Sequence, residues 1–386
     1  PIRDPECKPA VVSLAVAPSE FALRQRHFLR SVDFHEFLQG HDMPQTVSST
    51  NGYQRILVAT DFSPSSEAAV KQALWLARHA NATITLAHTL PDLRRAVNSV
   101  SYQAKVDLLY GEGSVFQREV RQESDARMRR MIESLNAVDL VINYETLLGA
   151  AYAEITHAVQ QEGYDLVLVG TRGLAAWQQF FVGSTAKRLI RKCPSSIWTV
   201  KAEHVGPPKS VLATTDFSEV SRRAVLEGLW VAQQAKAPFH LLHVIDSADV
   251  PDDILSKIPQ GGSLRHEINE EAKHRFDEFV ESLNTDPVSI QRHLSFGTPW
   301  QEIGRLASHL NVDLIALGTV GRSGIQGVLL GNTAEKVLDT CDCSLLTVKP
   351  ADFVSPIMPP FQQLHPEPNE ATTMTEPLSG NESLKG

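Results

Sequence analysis

Cysteine is scarce in this chain. Four residues, Cys7, Cys193, Cys341 and Cys343, occur among 386, with no CxxC pair and no zinc-like spacing. A disulfide framework or a structural zinc is therefore not expected, and the usage suits a reducing compartment. Long apolar runs are missing too. The stretch from Val11 to Ala17 is too short for a membrane span and lies too far in for a signal peptide. Pro1 in first position is what removal of an initiator Met would leave, so the cytoplasm is the expected compartment. Positive charge is outnumbered: 36 Lys and Arg stand against 45 Asp and Glu, a net −9. That balance argues against a nucleic-acid surface or an anionic membrane as partner. No GxxxxGK followed by Ser or Thr occurs, and no GxGxxG follows either opening strand, so Walker-type and dinucleotide-binding readings lose their motifs. Nor is there a Ser/His/Asp nucleophile elbow or a cluster of metal ligands.

What is present is ordinary globular material, 42% hydrophobic and 21% charged, long enough for two domains rather than one. The chain is organised around a glycine loop. Asp165-Leu166-Val167-Leu168-Val169 reads as a buried parallel strand, followed by Gly170-Thr171-Arg172-Gly173 and, further on, Gly183-Ser184-Thr185. Ala186 to Arg191 then reads as a helix. A glycine at a strand's carboxyl end admits close backbone approach, and free N–H groups at a helix start favour an anion. The pattern fits a phosphate cradle, and equally a loop that only caps its helix.

A second copy follows. Gly318, Gly321 and Gly331 repeat the G-x2-G-x9-G spacing, each 148 positions after its counterpart (318 against 170), behind the strand Asp313 to Leu317. This pattern resembles the nucleotide-binding loop of the universal stress protein family, here in tandem over about residues 51–350. The expected organisation is an N-terminal extension (1–50), partly helical or loose, which could also be a docking arm. Domain 1 (51–203), domain 2 (204–350) and a disordered tail (351–386) follow.

Each copy opens on a strand ending in a carboxylate, Arg55 to Asp61 and Val211 to Asp216, separated by 155 positions (216 against 61). Ser63 reads as an N-cap with Pro64 at the first helical position. Ala69, Ala73, Leu76, Ala77 and Ala80 form one apolar helix face, as do Ala224, Gly228, Val231, Ala232 and Ala235. Phe62 and Phe217 correspond, as do Trp75 and Trp230. The second strands, Thr83 to Leu90 and Phe239 to Ile245, carry the matched His88 and His243, which read as core histidines with backbone hydrogen bonds. Third strands are expected around Asp139–Tyr144 and Val288–Leu294, and last strands at Ser195–Val200 and Ser344–Val348. Cys193 and Cys341 precede these last strands as small buried spacers. The order β-α-β-α-β-α-β-α-β, twice, predicts an α/β fold of two tandem doubly wound parallel-sheet domains.

In such a sheet the ligand crevice lies beyond the strand carboxyl ends, at the reversal of strand order. Strands one and four meet there, bringing Asp61 beside Gly170–Thr185 and Asp216 beside Gly318–Thr333. A carboxylate at that point suits ribose hydroxyls, water or Mg2+ near phosphates, and also suits capping its own turn. The family resemblance implies nucleoside contacts at Ala59, Thr60 and Asp61, with Thr214, Thr215 and Asp216 in the second copy. It implies base contacts at Thr89 and Val244. Ribose and phosphate contacts are implied at Val169, Gly170, Gly173, Gly183, Ser184 and Thr185, matched by Leu317, Gly318, Gly321, Gly331, Asn332 and Thr333. Asn332 departs from the usual Ser or Thr but can still donate a hydrogen bond. Lys187, Arg188 and Arg191 follow the first loop and Glu335 and Asp339 the second, so a polyphosphate is expected to prefer the first copy.

The expected ligand is thus an adenine nucleotide (ATP, ADP or AMP), with Mg2+ on Asp61 as an option, in a stress-response regulatory role. An interaction scaffold of the same fold with empty pockets, or a slow ATP hydrolase, are the alternatives; no general base or arginine finger is evident. The resemblance also implies pairing of the two copies through their last strands, with a homodimer as a further option.

Overall fold

A computed structural model describes residues 52–91, 112–171, 182–247, 263–285, 290–321 and 330–358. The N-terminal extension and the tail beyond 358 therefore lie outside the described residues. The first copy runs β1 (Arg55–Ala59), α1 (Pro64–Ala80), β2 (Thr83–Leu90), α2 (Glu112–Ser134), β3 (Ile142–Leu148), α3 (Ala151–Glu162), β4 (Leu166–Gly170), α4 (Ser184–Lys192) and β5 (Ser196–Val200). The second runs β6 (Val211–Thr215), α5 (Glu219–Ala235), β7 (Phe239–Asp246), α6 (Ser263–Ser282), β8 (Ile290–Gly297), α7 (Pro299–His309), β9 (Leu314–Gly318), α8 (Asn332–Thr340) and β10 (Ser344–Val348).

All ten strands form one sheet in the order β3-β2-β1-β4-β5-β10-β9-β6-β7-β8. Pairing is parallel inside each copy and antiparallel at the single seam, where Trp198 faces Leu346 and Ile197 faces Thr347. The expected doubly wound order holds in both halves, and the two copies join through their last strands. Both faces of the central strands are apolar because both are covered. Alternation along β1 sends Ile56 and Val58 to the face under α1, and Leu57 and Ala59 to the face under α3 and α4. The predicted faces are buried except at the end of α5: Ala69, Ala73, Leu76 and Ala77 are fully covered, as are Ala224, Val231 and Ala232, whereas Ala235 is half-buried.

Local signals account for the helix starts. The Ser63 hydroxyl accepts the Ser66 N–H at 3.3 Å with Pro64 opening α1, and Ser218 accepts the Ser221 N–H at 3.2 Å in front of α5. Phe62 and Phe217, just before these caps, have φ of 59° and 67°, left-handed values that cost a non-glycine residue roughly 1–2 kcal/mol. Their rings rest on His88 and His243, at 4.7 and 4.1 Å between centroids.

Two expectations need correction. The third strand of the first copy begins later than its apolar run suggests, at Ile142; in the second copy β8 is described from Ile290, as expected, and Val288 lies outside the described residues. Val138 is fully exposed and the Asp139 carboxylate is taken by Arg78 at 2.7 Å, so that half of the run lies in the turn. An edge strand such as β3 does not need two buried faces. The segment 351–358, expected to belong to a disordered tail, is instead docked on the first copy. Its Met358 and Ile357 carbonyls accept from His157 Nε2 (2.8 Å) and Gln160 Nε2 (3.1 Å) on α3.

Candidate functional site

The carboxyl ends of β1 and β4 meet in register, Ala59 beside Val169. β6 and β9 pair in the same register as far as Ala213 beside Ala316. Beyond these tips the chain turns on Thr60-Asp61 and Thr215-Asp216. The two threonines are buried and committed to the turn: Thr60 Oγ1 accepts the Phe62 N–H at 3.1 Å and Thr215 Oγ1 the Phe217 N–H at 2.9 Å. Each hydroxyl also sits beside a serine in the first turn of the next helix, Ser66 at 3.2 Å and Ser221 at 3.1 Å. Asp61 Oδ1 accepts the Ser63 N–H, and Asp216 Oδ1 accepts both the N–H and the hydroxyl of Ser218. His88 and His243 donate from Nδ1 to the Thr60 and Thr215 carbonyls at 2.7 and 2.8 Å.

The glycine loops close on the same place. Gly183 N–H donates to the Thr171 carbonyl and Gly331 N–H to that of Thr319, both at 2.7 Å. Thr171 and Thr319 in turn hang from Val200 and Val348 on the last strands. Gly183 and Gly331 are the N-caps of α4 and α8, and neither helix start carries a side-chain cap. Among the described residues the N–H groups of the first turns, at Ser184-Thr185 and Asn332-Thr333, are thus left for another acceptor. Ser184 and Asn332 are exposed, Thr185 and Thr333 half-buried.

Three glycines show how tightly the parts converge. A Cβ on Gly321 would stand 2.8 Å from Asp216 Oδ2, so the loop runs against the opening strand's carboxylate. A Cβ on Gly170 would stand 2.7 Å from the Ser65 carbonyl carbon, and one on Gly318 would stand 3.0 Å from Val220 Cγ1. Close approach is needed at Gly170 and Gly318, but the neighbour is the helix that follows the opening strand. Gly173 lies outside the described residues.

Of the remaining predicted contacts, Ala59, Val169 and Leu317 are buried, so they could offer only backbone to a ligand. Thr214 and Val244 are half-buried. Thr89 Oγ1, at the end of β2, is buried and makes no hydrogen bond. A hydroxyl left so is costly unless a ligand or water completes it. Among the described residues no three His, Cys, Asp or Glu side chains gather into a metal-ligand set.

The electrostatic contrast expected between the loops is reduced. Lys187 pairs with Asp339 and Arg191 with Glu335 across the seam, and Arg188 lies 4.9 Å from the Tyr152 ring. Antiparallel pairing of β5 with β10 sets α4 beside α8, so the first loop's cations meet the second loop's anions.

Comparison with known proteins follows the same duplication. The universal stress protein family model matches residues 52–201 and again 208–349. This chain belongs to the universal stress protein family. Universal stress protein E of Photorhabdus laumondii subsp. laumondii is 25% identical over 317 residues, covering 79% of this chain and 98% of that protein. Universal stress protein E of Escherichia coli K12 is 25% identical over 315 residues, covering 79% and 96%. The crystal structure of a functionally unknown protein, PA1789, from Pseudomonas aeruginosa PAO1 shares the fold at 19% identity and a TM-score of 0.53, covering 78% of this chain and 95% of that one. Family membership supports a stress-response role. Among the described residues no helix of this universal stress protein is long and apolar enough to cross a membrane.

Sequence reasoning missed the αL turns at Phe62 and Phe217, although their match at the 155-residue offset was a signal. It also missed the cross-seam ion pairs, for which no local signal exists.

Proposed function

We propose that this universal stress protein binds adenine nucleotide (ATP, ADP or AMP) at the strand tips and uses it as a regulatory ligand in the cytoplasm. The observation that carries the reading is the uncapped first turn of α4 and of α8, held against the turn of the opening strand. Backbone N–H groups of that turn would take phosphate oxygens, and the orphan Thr89 hydroxyl would meet the base or ribose. Mg2+ would have to share its ligands between Asp61 and the phosphate oxygens, since the described residues offer no three-ligand set there.

A scaffold reading draws on a different observation. The Asp61 and Asp216 carboxylates already serve their own turns, and Gly170 is occupied by helix packing. The test is simple: purify the protein without added nucleotide, denature it, and analyse the supernatant by mass spectrometry. Near-stoichiometric adenine nucleotide supports the binder; none, together with no heat on ATP titration, supports the scaffold. Steady ATP turnover abolished by Asp61→Ala would instead make it a slow hydrolase. Homodimerisation beyond the internal seam belongs to the same proposal and is read by light scattering.

A further inference from the structure

A cavity of about 360 Å3 lies across the β5–β10 seam, at the amino ends of the first copy's strands. It shares no residue with the predicted nucleotide contacts. Asp165, Ser196 and Tyr53 line it from the first copy, and Arg223, Glu227 and Trp230, all on α5, from the second. Glu227 accepts from the Tyr53 hydroxyl at 2.9 Å and from Ser196 Oγ at 3.1 Å. Arg223 gives one N–H to the Lys349 carbonyl at 2.7 Å. Tyr53 and Trp230 meet edge to face, 5.6 Å between centroids, and supply an aromatic wall.

The charges are unusual for a structural seam. Among the described residues neither Arg223, Glu227 nor Asp165 stands in an ion pair, whereas Lys187, Arg191 and Lys201 nearby all do. Burial pushes the Glu227 and Asp165 carboxyls above their ordinary range, and Asp165 adds to the push on Glu227. A ligand cation between the two would relieve both. Arg223 keeps most of its donor fork for a carboxylate.

The duplication supplies an internal control. At the offsets of 155 and 148, Arg223 corresponds to Ala68, Glu227 to Gln72, Tyr53 to Pro208, and Ser196 to Ser344. The other side of the seam keeps Asp313 and Trp75 in the places of Asp165 and Trp230 but lacks the guanidinium and the Glu227 carboxyl, and its Lys201 pairs with Asp342. The chemistry is concentrated on one of two equivalent positions, which packing alone does not require.

We propose that this seam cavity binds a free α-amino acid with an apolar or aromatic side chain. The ligand carboxylate lies on Arg223, its ammonium between Glu227 and Asp165, and its side chain against Trp230 and Tyr53. The test is calorimetric titration of the full chain with L-phenylalanine, L-leucine and L-methionine at pH 7. Saturable one-site binding of at least one is expected, with phenethylamine and 3-phenylpropionate weaker by about tenfold or more than L-phenylalanine if that amino acid binds. Arg223→Gln and Glu227→Gln should each abolish it while a thermal melt shows the fold kept. Should either variant fail to fold, the analogue series on the wild-type chain decides. No saturable binding by any of the three, or an amine that binds as well as the amino acid, overturns the proposal. Either failure leaves the strand-tip reading untouched.

Discussion

Lys187, in the first turn of α4, is ion-paired with Asp339, in the last turn of α8. Each charge alone sits at the wrong end of its helix dipole, a cation at an N-terminus and an anion at a C-terminus. Paired across the antiparallel helices, each offsets the other's misplacement. Both side chains are about one-third exposed, so the pair contributes modestly. Lys187→Ala should cost about 0.5–1 kcal/mol in urea unfolding. Lys187→Asp should cost more, by setting two carboxylates together. Adding Asp339→Lys should recover the loss, because each charge then also suits its own helix end. A reversed pair no more stable than the single Lys187→Asp variant would contradict this account.

Alanine substitution should rank the loop glycines by what each one faces. At Gly170 the new Cβ meets helix backbone at 2.7 and 2.8 Å, which cannot move aside cheaply, and ~1–3 kcal/mol of overpacking is expected. At Gly318 it meets a Val220 methyl at 3.0 Å, which can give by a few tenths of an ångström. At Gly183 the nearest atom is 3.4 Å away. Melting temperatures should therefore fall in the order Gly170→Ala, Gly318→Ala, Gly183→Ala, with the last close to wild type. A large loss at Gly183 would mean that the loop is strained in a way its contacts do not show.

Most of the fold was legible because it is written locally and written twice. Ser63-Pro64 announced a helix start, Leu166 to Gly170 a buried strand, and the 148-residue echo of three glycines a duplicated loop. The matched His88 and His243 both proved to bond backbone as expected, His243 in the core and His88 half-buried. What escaped depends on contacts distant in sequence. Nothing near Lys187 reveals that Asp339 will neutralise it, because the contact exists only once β5 and β10 pair antiparallel. The apolar character of Val138 and Val141 concealed a turn, since an edge strand is set by pairing as much as by composition. Gly170 was legible as a close approach but not as an approach to α1.

Stability should depend on pH through Lys349. Burial lowers its amine from the ordinary 10.5 to about 7 in the fold, where Nζ donates to the Arg191 carbonyl. Between those values the unfolded chain binds the proton and the folded chain does not. Stability contributed by this group therefore rises with pH from about 7 toward 10.5 and is lowest once both states carry the charge, below about 7. Lys349→Met should flatten that slope and raise stability most at and below neutral pH, as read by urea midpoints across the range. A parallel pH profile for the variant would show the amine to be better solvated than its surroundings imply.

The docked segment 351–358 should loosen without the core. His157→Ala with Gln160→Ala removes both donors that hold the Met358 and Ile357 carbonyls to α3. At about 1 kcal/mol per hydrogen bond, the loss stays below 2 or so. Amide exchange at 351–358 should quicken while that of β1 and β4 is unchanged. Phe353, with Lys349 Nζ 4.1 Å from its ring, anchors the near end and should be the last amide of the segment to respond. Uniform quickening across the sheet would instead mean that the segment is part of the cooperative unit.

The two strand-tip sites should be separable by charge. Ser184 and Asn332 each sit, exposed, at the first position of a helix without a side-chain cap. A glutamate there caps the helix and puts a carboxylate where a phosphate would sit. Ser184→Glu should therefore hold or slightly raise the melting temperature, since an acidic residue suits that end of the dipole. It should weaken ATP at the first site by about tenfold or more, which corresponds to about 1.4 kcal/mol. Asn332→Glu should do the same at the second. Because Lys187 and Arg191 are spent on Asp339 and Glu335, the cationic advantage expected for the first site is cut back to Arg188. The two single variants should then lose comparable shares of the total binding heat. A variant that loses all of it alone would mean that one copy carries the ligand and the other only the fold.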